Sequence, residues 1–218
     1  MFGVRRLLFS TLFHWTLGVE SLTLVFMNEA FNYVAVLVSI IIGLGVTRIL
    51  TGLSDAIQVG NRPRAYWVHT VWMFNMLIDL MLFWWVLYRW NTVPQWTFFI
   101  FLWVNVAPIL LYLSSGVLCP AELEKTGSPD WRDYYYRNRR GFFFVVGTIW
   151  PLDIIDTLLK GKQHFIDQGA LYLPTIILWT VGNFAAGLTK NERYHAIWAI
   201  VFPLSQITYI ILQLLRLG

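Results

Sequence analysis

Polar residues are sparse along most of this chain, and the apolar stretches between them are long. A helix needs about 20 mainly apolar residues to cross a bilayer. Six stretches approach that length: roughly 31–50, 66–86, 96–118, 142–159, 171–188 and 195–217. They predict an all-α fold, a polytopic transmembrane helix bundle with six core spans. The fourth stretch is interrupted by Asp153 and Asp156, and its competing reading is an amphipathic helix lying in the interface. Ahead of the core, Arg5 and Arg6 precede an apolar stretch, 7–26, broken by His14 and Glu20. Three readings of residues 1–26 stay open: a signal-like segment, a seventh span, or an extension upstream of a true start at Met27. Residues 27–218 read as a single transmembrane domain.

Composition supports lipid as the solvent. Hydrophobic residues make up 57% of the 218 and charged residues only 13%, against roughly 25% charged in a soluble domain. A soluble fold of this size leaves about a third of its surface in water and cannot hide so much apolar area. The 12 Trp, 10 Tyr and 16 Phe agree, since amphipathic rings collect at the headgroup level. The single cysteine, Cys119, excludes an internal disulfide and any multi-cysteine metal site. It reads as a small helix-end residue before Pro120.

The net charge of +4 carries no nucleic-acid signal, because the basic residues sit in connections beside apolar runs. The first, third and fifth connections, counted with Arg48 at the first helix end, hold ten Lys and Arg residues; the opposite side of the core holds four, Arg89, Lys160, Lys162 and Arg216. By the positive-inside rule the Arg-rich connections 51–65, 119–141 and 189–194 are expected in the cytoplasm. Arg48, Arg62, Arg64, Arg137, Arg139 and Arg140 are then candidates for anionic lipid headgroups, because arginine offers a bidentate fork to phosphate. Aromatics and arginines interleave over 131–140, which suggests a segment on anionic lipid; a plain charged stop before the fourth helix is the simpler reading.

The stretches IIGLGVTRILTGLSDAI (41–57), RPRAYWVH (62–69) and NERYHA (191–196) resemble those of a family of small, uncharacterised multi-pass bacterial inner-membrane proteins. The resemblance covers the core from about Met27 onward. It implies a bacterial cytoplasmic membrane and brings no activity with it.

Ionisable and amide side chains at membrane depth are the candidate chemistry. With about 1.5 Å of rise per residue, Asn75 lies about 14 Å and Asp79 about 20 Å into the second span, against a hydrocarbon core of about 30 Å. The same arithmetic puts Asn105 about 14 Å down the third span, Asp153 and Asp156 about 17 and 21 Å into the fourth, and Gln206 about 17 Å into the sixth. Asn75, Asp79, Asn105, Asp153, Asp156 and Gln206 are thus expected to meet in the central-to-outer part of the bundle. Such carboxylates carry protons or hold a cation, and the plainer reading is interhelical hydrogen bonding. Pro108, Pro151, Pro174 and Pro203 fall within spans, where proline frees a backbone carbonyl able to line a cavity.

His69 and His195 begin the second and sixth spans at similar depth. Two histidines on different helices can ligate haem or a metal ion, and the neighbouring Trp67, Tyr66 and Tyr194 would suit a flat cofactor or a quinone. Interfacial histidines bonded to loops are the commoner case. Hydrolase, P-loop and Rossmann patterns are absent from the sequence, so the reading leans away from an enzyme. The leading functional expectation is small-solute, ion or proton transport or sensing through a polar cavity. The alternatives are a structural or accessory subunit, in a homo-oligomer or with a membrane-protein partner, and the redox protein using His69 and His195. No cofactor is assigned.

Overall fold

Capping side chains set where several helices begin. Thr97 Oγ1 accepts from the Ile100 amide at 3.2 Å, Asp130 Oδ1 from Asp133 at 2.8 Å, and Asn191 Oδ1 from Arg193 and Tyr194 at 2.9 and 3.4 Å. Each satisfies an amide that the first turn leaves without an intrahelical partner. Asp133 and Glu192 place negative charge in the first turns of their helices, where the helix dipole favours it.

The computed structural model describes the backbone of residues 3–57, 65–93, 95–120 and 130–214, and side chains within those stretches from residue 29 to 212. The helices are α1 (Gly3–Ile57), α2 (Trp67–Leu87), α3 (Phe98–Leu118), α4 (Trp131–Leu159), α5 (Lys162–Asp167), α6 (Tyr172–Leu188) and α7 (Glu192–Tyr209). A 3-10 segment, Tyr88–Thr92, extends α2, and a π-helical turn, Ile210–Leu214, extends α7. Among the described residues there is no strand.

Five segments are long and apolar enough to cross a membrane: Glu29–Ile57, Trp67–Thr92, Phe98–Leu118, Trp131–Leu159 and Glu192–Leu212. The Asp-bearing fourth stretch is among them, as one continuous helix. The expected stretch at 171–188 is the shorter α6, whose 17 residues extend about 25 Å. The helix of α1 continues upstream through 7–26, whose side chains lie outside the described residues.

Burial is organised inside-out. On α1, Phe31, Val34, Val38, Ile42, Ile49 and Leu53 form a buried stripe at helical spacing, while Tyr33, Val36, Ile40 and Leu44 are exposed. The outer surface elsewhere carries Trp84, Phe98, Phe99, Val181, Ile197 and Leu204. The interior holds His69, Asn75, Asp79, Asn105, Asn183, His195 and Gln206. Apolar outside and polar inside is the arrangement a hydrocarbon solvent selects.

The helix α4 packs most extensively on α6, α1 lies against α2 and α3, α3 against α4, and α2 against α7. Arg139 Nε donates to the Thr189 carbonyl at 2.9 Å, and Tyr172 Oη donates to Asp153 at 2.7 Å. These two bonds set α6 antiparallel to α4 along residues 139–157. The side chains of Arg132 and Glu192 form an ion pair that joins the starts of α4 and α7. Residues 131–140, expected on a lipid surface or as a charged stop, are the first turns of α4, with Tyr134, Tyr135 and Arg139 buried against protein.

Pro108, Pro151 and Pro203 lie inside α3, α4 and α7. Pro174 differs, because it is the third residue of α6, where its missing N–H would lack an intrahelical partner anyway. Gly161 and Gly169 bracket α5 with φ of 124° and 76°, a region L side chains resist. Gly161→Ala is therefore expected to cost about 1–3 kcal/mol, read as a lower midpoint of thermal unfolding in detergent. An unchanged midpoint would contradict this turn geometry.

Candidate functional site

Asp79 stands at the floor of the candidate site. Asn75, one turn before it on α2, donates Nδ2 to Asp79 Oδ2 at 3.1 Å. From α7, 127 positions along the chain, Gln206 donates Nε2 to Asp79 Oδ1 at 2.7 Å. All three are buried, at 2%, 6% and 1% exposure for Asn75, Asp79 and Gln206. With their N–H groups turned to the carboxylate, the amides leave Asn75 Oδ1 and Gln206 Oε1 without any hydrogen-bond partner. Among the described residues no basic side chain forms an ion pair with Asp79.

Above this floor lies a cavity of about 130 Å³, open at one end and walled chiefly by α2, α3, α4, α6 and α7. Asp79 and Gln206 line it, with Leu111, Val146, Ile149 and Ile176 and the indoles of Trp103, Trp150 and Trp179 as its walls. Trp150 and Trp179 meet with ring centroids 4.4 Å apart and planes at 60°. Below the floor, towards the starts of α2, α4 and α7, the bundle is filled by Trp72, Phe142, Phe143 and Phe202, all 2% exposed or less. Trp72 packs edge-on to Phe142 and Phe143, at 5.6 and 4.9 Å. The cavity is thus backed by aromatic packing on the side of the Arg-rich connections.

The other end of the cavity is polar. Tyr172 Oη donates to Asp153 Oδ2 at 2.7 Å and lies 3.0 Å from Thr157 Oγ1. Lys160 pairs with Asp156, one turn back, and its ammonium sits 5.1 Å from the centre of the Trp90 ring. Gln168, on the turn after α5, accepts from Tyr209 Oη at 3.3 Å and lies 3.2 Å from His164 Nε2. Burial, then the charges of Lys160 and Arg89, hold the His164 imidazole below its usual range and so neutral near pH 7. His164 lines the cavity as well.

Of the six polar residues expected to meet, Asp79, Asp153, Asp156 and Gln206 line this cavity and Asn75 supports Asp79 from the side. Asn105 does not join them. Its Nδ2 turns back to the Phe101 carbonyl at 2.7 Å, a bond available inside any helix. Sequence reasoning missed Arg89, Trp90, Thr157, His164, Gln168, Tyr172 and Tyr209 as cavity neighbours. The one visible signal was the four-residue spacing of Asp156 with Lys160 and of His164 with Gln168, which puts each pair on one helix face.

At the opposite end His69 and His195 are engaged by protein. His69 Nε2 donates to the Leu118 carbonyl at 2.8 Å, and its ring stacks on Trp131 at 4.9 Å. His195 Nε2 donates to the Thr189 carbonyl at 3.1 Å, and Tyr135 Oη lies 2.8 Å from its Nδ1. Tyr135 packs edge-on against both imidazoles, 6.2 Å from the His69 ring centre and 5.3 Å from that of His195. Among the described residues no cluster of three or more His, Cys, Asp or Glu side chains is placed to hold a metal ion.

The headgroup candidates divide. Arg139 is buried and donates to the Tyr136 and Thr189 carbonyls at 2.7 and 2.9 Å. Arg137 pairs with Asp133 at 2.8 Å, Arg140 is exposed, and Arg48 is half-buried. Arg62 and Arg64 lie outside the described residues. Cys119 is 1% exposed at the end of α3, and burial, offset in part by Arg48, pushes its thiol up to about 12. It is therefore a thiol and not a thiolate near neutral pH. Comparison with protein-family models, with curated proteins and with solved structures finds no match for this chain.

Proposed function

We propose that this chain is a multi-pass protein of a bacterial cytoplasmic membrane that binds a small solute or cation at Asp79 and transports or senses it. The observation that carries the reading is a carboxylate at mid-helix, lining a cavity, held by two amides and paired with no basic side chain among the described residues. A carboxylate at membrane depth is costly to keep without a task, and transporters place their sites near the midplane. The polar mouth on one side and the aromatic packing on the other suit a site reached from one face at a time.

In this reading α6 is also a crossing, the fifth in chain order, which brings the total to six, since its ends are level with Arg139 and Asp153 of α4. The ten-to-four distribution of Lys and Arg supports placing the connections 51–65, 119–141 and 189–194 in the cytoplasm. The cavity mouth then faces outward. Arg48, Arg137 and Arg140, with Arg62 and Arg64 by their position in the sequence, would then meet anionic headgroups on the inner surface, while Arg139 serves to bind α4 to the end of α6.

The test is flux through the purified protein in proteoliposomes holding a pH-sensitive or Na+-sensitive dye, driven by a proton or sodium gradient. Wild-type protein is expected to pass one of the two above empty liposomes. Asp79→Asn is expected to lower that flux by tenfold or more, and Asp153→Asn to lower it less. Equal flux in wild type and both variants would remove the proposal.

A further inference from the structure

The geometry points to a small organic primary ammonium as the ligand of this cavity, with its –NH3+ seated on Asp79 and its carbon body against Trp150 and Trp179. This deepens the reading of Asp79 as a solute site and rests on it.

Hydrogen-bond supply at the floor comes first. A carboxylate has about four acceptor positions, and Asp79 receives only two N–H groups. The amides that supply them carry two further oxygens with no donor, Asn75 Oδ1 and Gln206 Oε1, and Gln206 itself lines the cavity at 1% exposure. The floor is rich in acceptors and short of donors. An ammonium brings three donors and a positive charge. An anion would meet the Asp79 charge, and the donors left to it are the second N–H of each amide and Trp150 Nε1 in the wall.

The walls narrow the choice among cations. Between the Asp79 floor and the polar mouth the cavity is walled by indole rings and aliphatic carbon, which a bare alkali ion would leave unfilled. Carbon walls suit a ligand with a carbon body. Indole faces also attract ammonium groups, and this cavity already shows one such contact, Lys160 over Trp90 at 5.1 Å. Lys160 is itself neutralised by Asp156, so its charge does not dominate the mouth. The acidic lining residues are Asp79, Asp153 and Asp156, and the basic ones are Arg89 and Lys160. The balance of three against two leaves the cavity attractive to a cation.

Volume bounds the size. An engineered protein cavity of about 150 Å³ holds benzene, so the 130 Å³ here suits a ligand of about five to eight heavy atoms. Benzylammonium and n-butylammonium have that size and chemistry. Benzyl alcohol and 1-butanol are their neutral counterparts.

The experiment is calorimetric titration of the full chain in lipid nanodiscs at pH 7 with these four compounds, and with NaCl and KCl at matched ionic strength. Saturable binding of at least one ammonium is expected, tenfold or more tighter than its alcohol. Asp79→Asn should weaken the ammonium by tenfold or more and leave the alcohol nearly unchanged. If that variant does not fold, the ratio of ammonium to alcohol in wild type decides alone. Equal affinity for ammonium and alcohol, or no saturable binding of either ammonium, would overturn the inference. If Asp79-dependent proton or sodium flux persists in that case, the cavity function stands with a simpler cation. If that flux is missing too, both readings fall.

Discussion

Replacing Trp72 with alanine is expected to lower the unfolding free energy by about 3 kcal/mol and to make the protein leaky. Trp72 is 1% exposed and lies among Phe142, Phe143 and Phe202, with ring centres 5.6, 4.9 and 5.2 Å away. Truncating a buried Trp to Ala costs about 3–5 kcal/mol in soluble proteins. The lower end applies here, because the unfolded helices stay in an apolar solvent and the transfer contribution shrinks. The lost contacts and the void remain in full. The void would open between the cavity floor and the starts of α2, α4 and α7. Unfolding of the purified protein by increasing SDS fraction measures the first effect, and proton leak in dye-loaded proteoliposomes the second. Trp72→Phe keeps a ring in place and should lose less than half as much. Wild-type stability in Trp72→Ala would mean that these rings do not seal the cavity.

The second large effect is expected at Gly182. A Cβ built there would stand 2.2 and 2.3 Å from ring carbons of Trp198, closer than any real contact allows. Trp198 is held on its other sides by Phe202 and by a bond from its Nε1 to Asn183 Oδ1 at 3.4 Å. Tyr194 Oη donates to the Gly182 carbonyl at 2.8 Å, which fixes the backbone of α6 as well. Neither side can yield cheaply, so Gly182→Val should push α6 from α7 and cost about 3 kcal/mol, the upper end for overpacking. Gly116 is the contrast, with nothing within 4 Å of its missing Cβ. Gly116→Ala should be neutral or slightly stabilising, since glycine inside a helix costs about 0.5–1 kcal/mol relative to alanine. The same SDS titration ranks the two variants, and similar midpoints would show that α6 and α7 do not approach as described.

Hydropathy located the helices well and their partners poorly. Asp79 and Gln206 stand out in the sequence because each interrupts an apolar run, and their depth follows from counting residues at about 1.5 Å each. Their pairing was an expectation of shared depth only. Asn105 has a comparable depth, yet it bonds to its own helix at Phe101. Nothing local distinguishes the two outcomes. The arginine-rich stretch 131–140 was legible as the charged flank of the fourth helix but not as buried structure. Charge and aromatics look like a surface segment, but Asp130 caps a helix there, and the rings of Tyr134 and Tyr135 turn into the protein. Likewise His69 and His195 share a level in the bundle, and only the packing shows Tyr135 in contact with both.

By itself the sequence determined that this chain is helical and apolar, which residues lie deep in its helices, and that its Lys and Arg gather in alternate connections. Those properties depend on local periodicity, capping and transfer energy, which read along one dimension. The tertiary structure alone decided which face of each helix turns inward. A helix that is hydrophobic all round carries no stripe to orient it, and lipid is as apolar as a neighbouring helix. Close packing at Gly45, Gly147 and Gly182 and a few polar contacts therefore choose the rotation. That choice is what brings Gln206 to Asp79 across 127 residues and leaves a cavity above them.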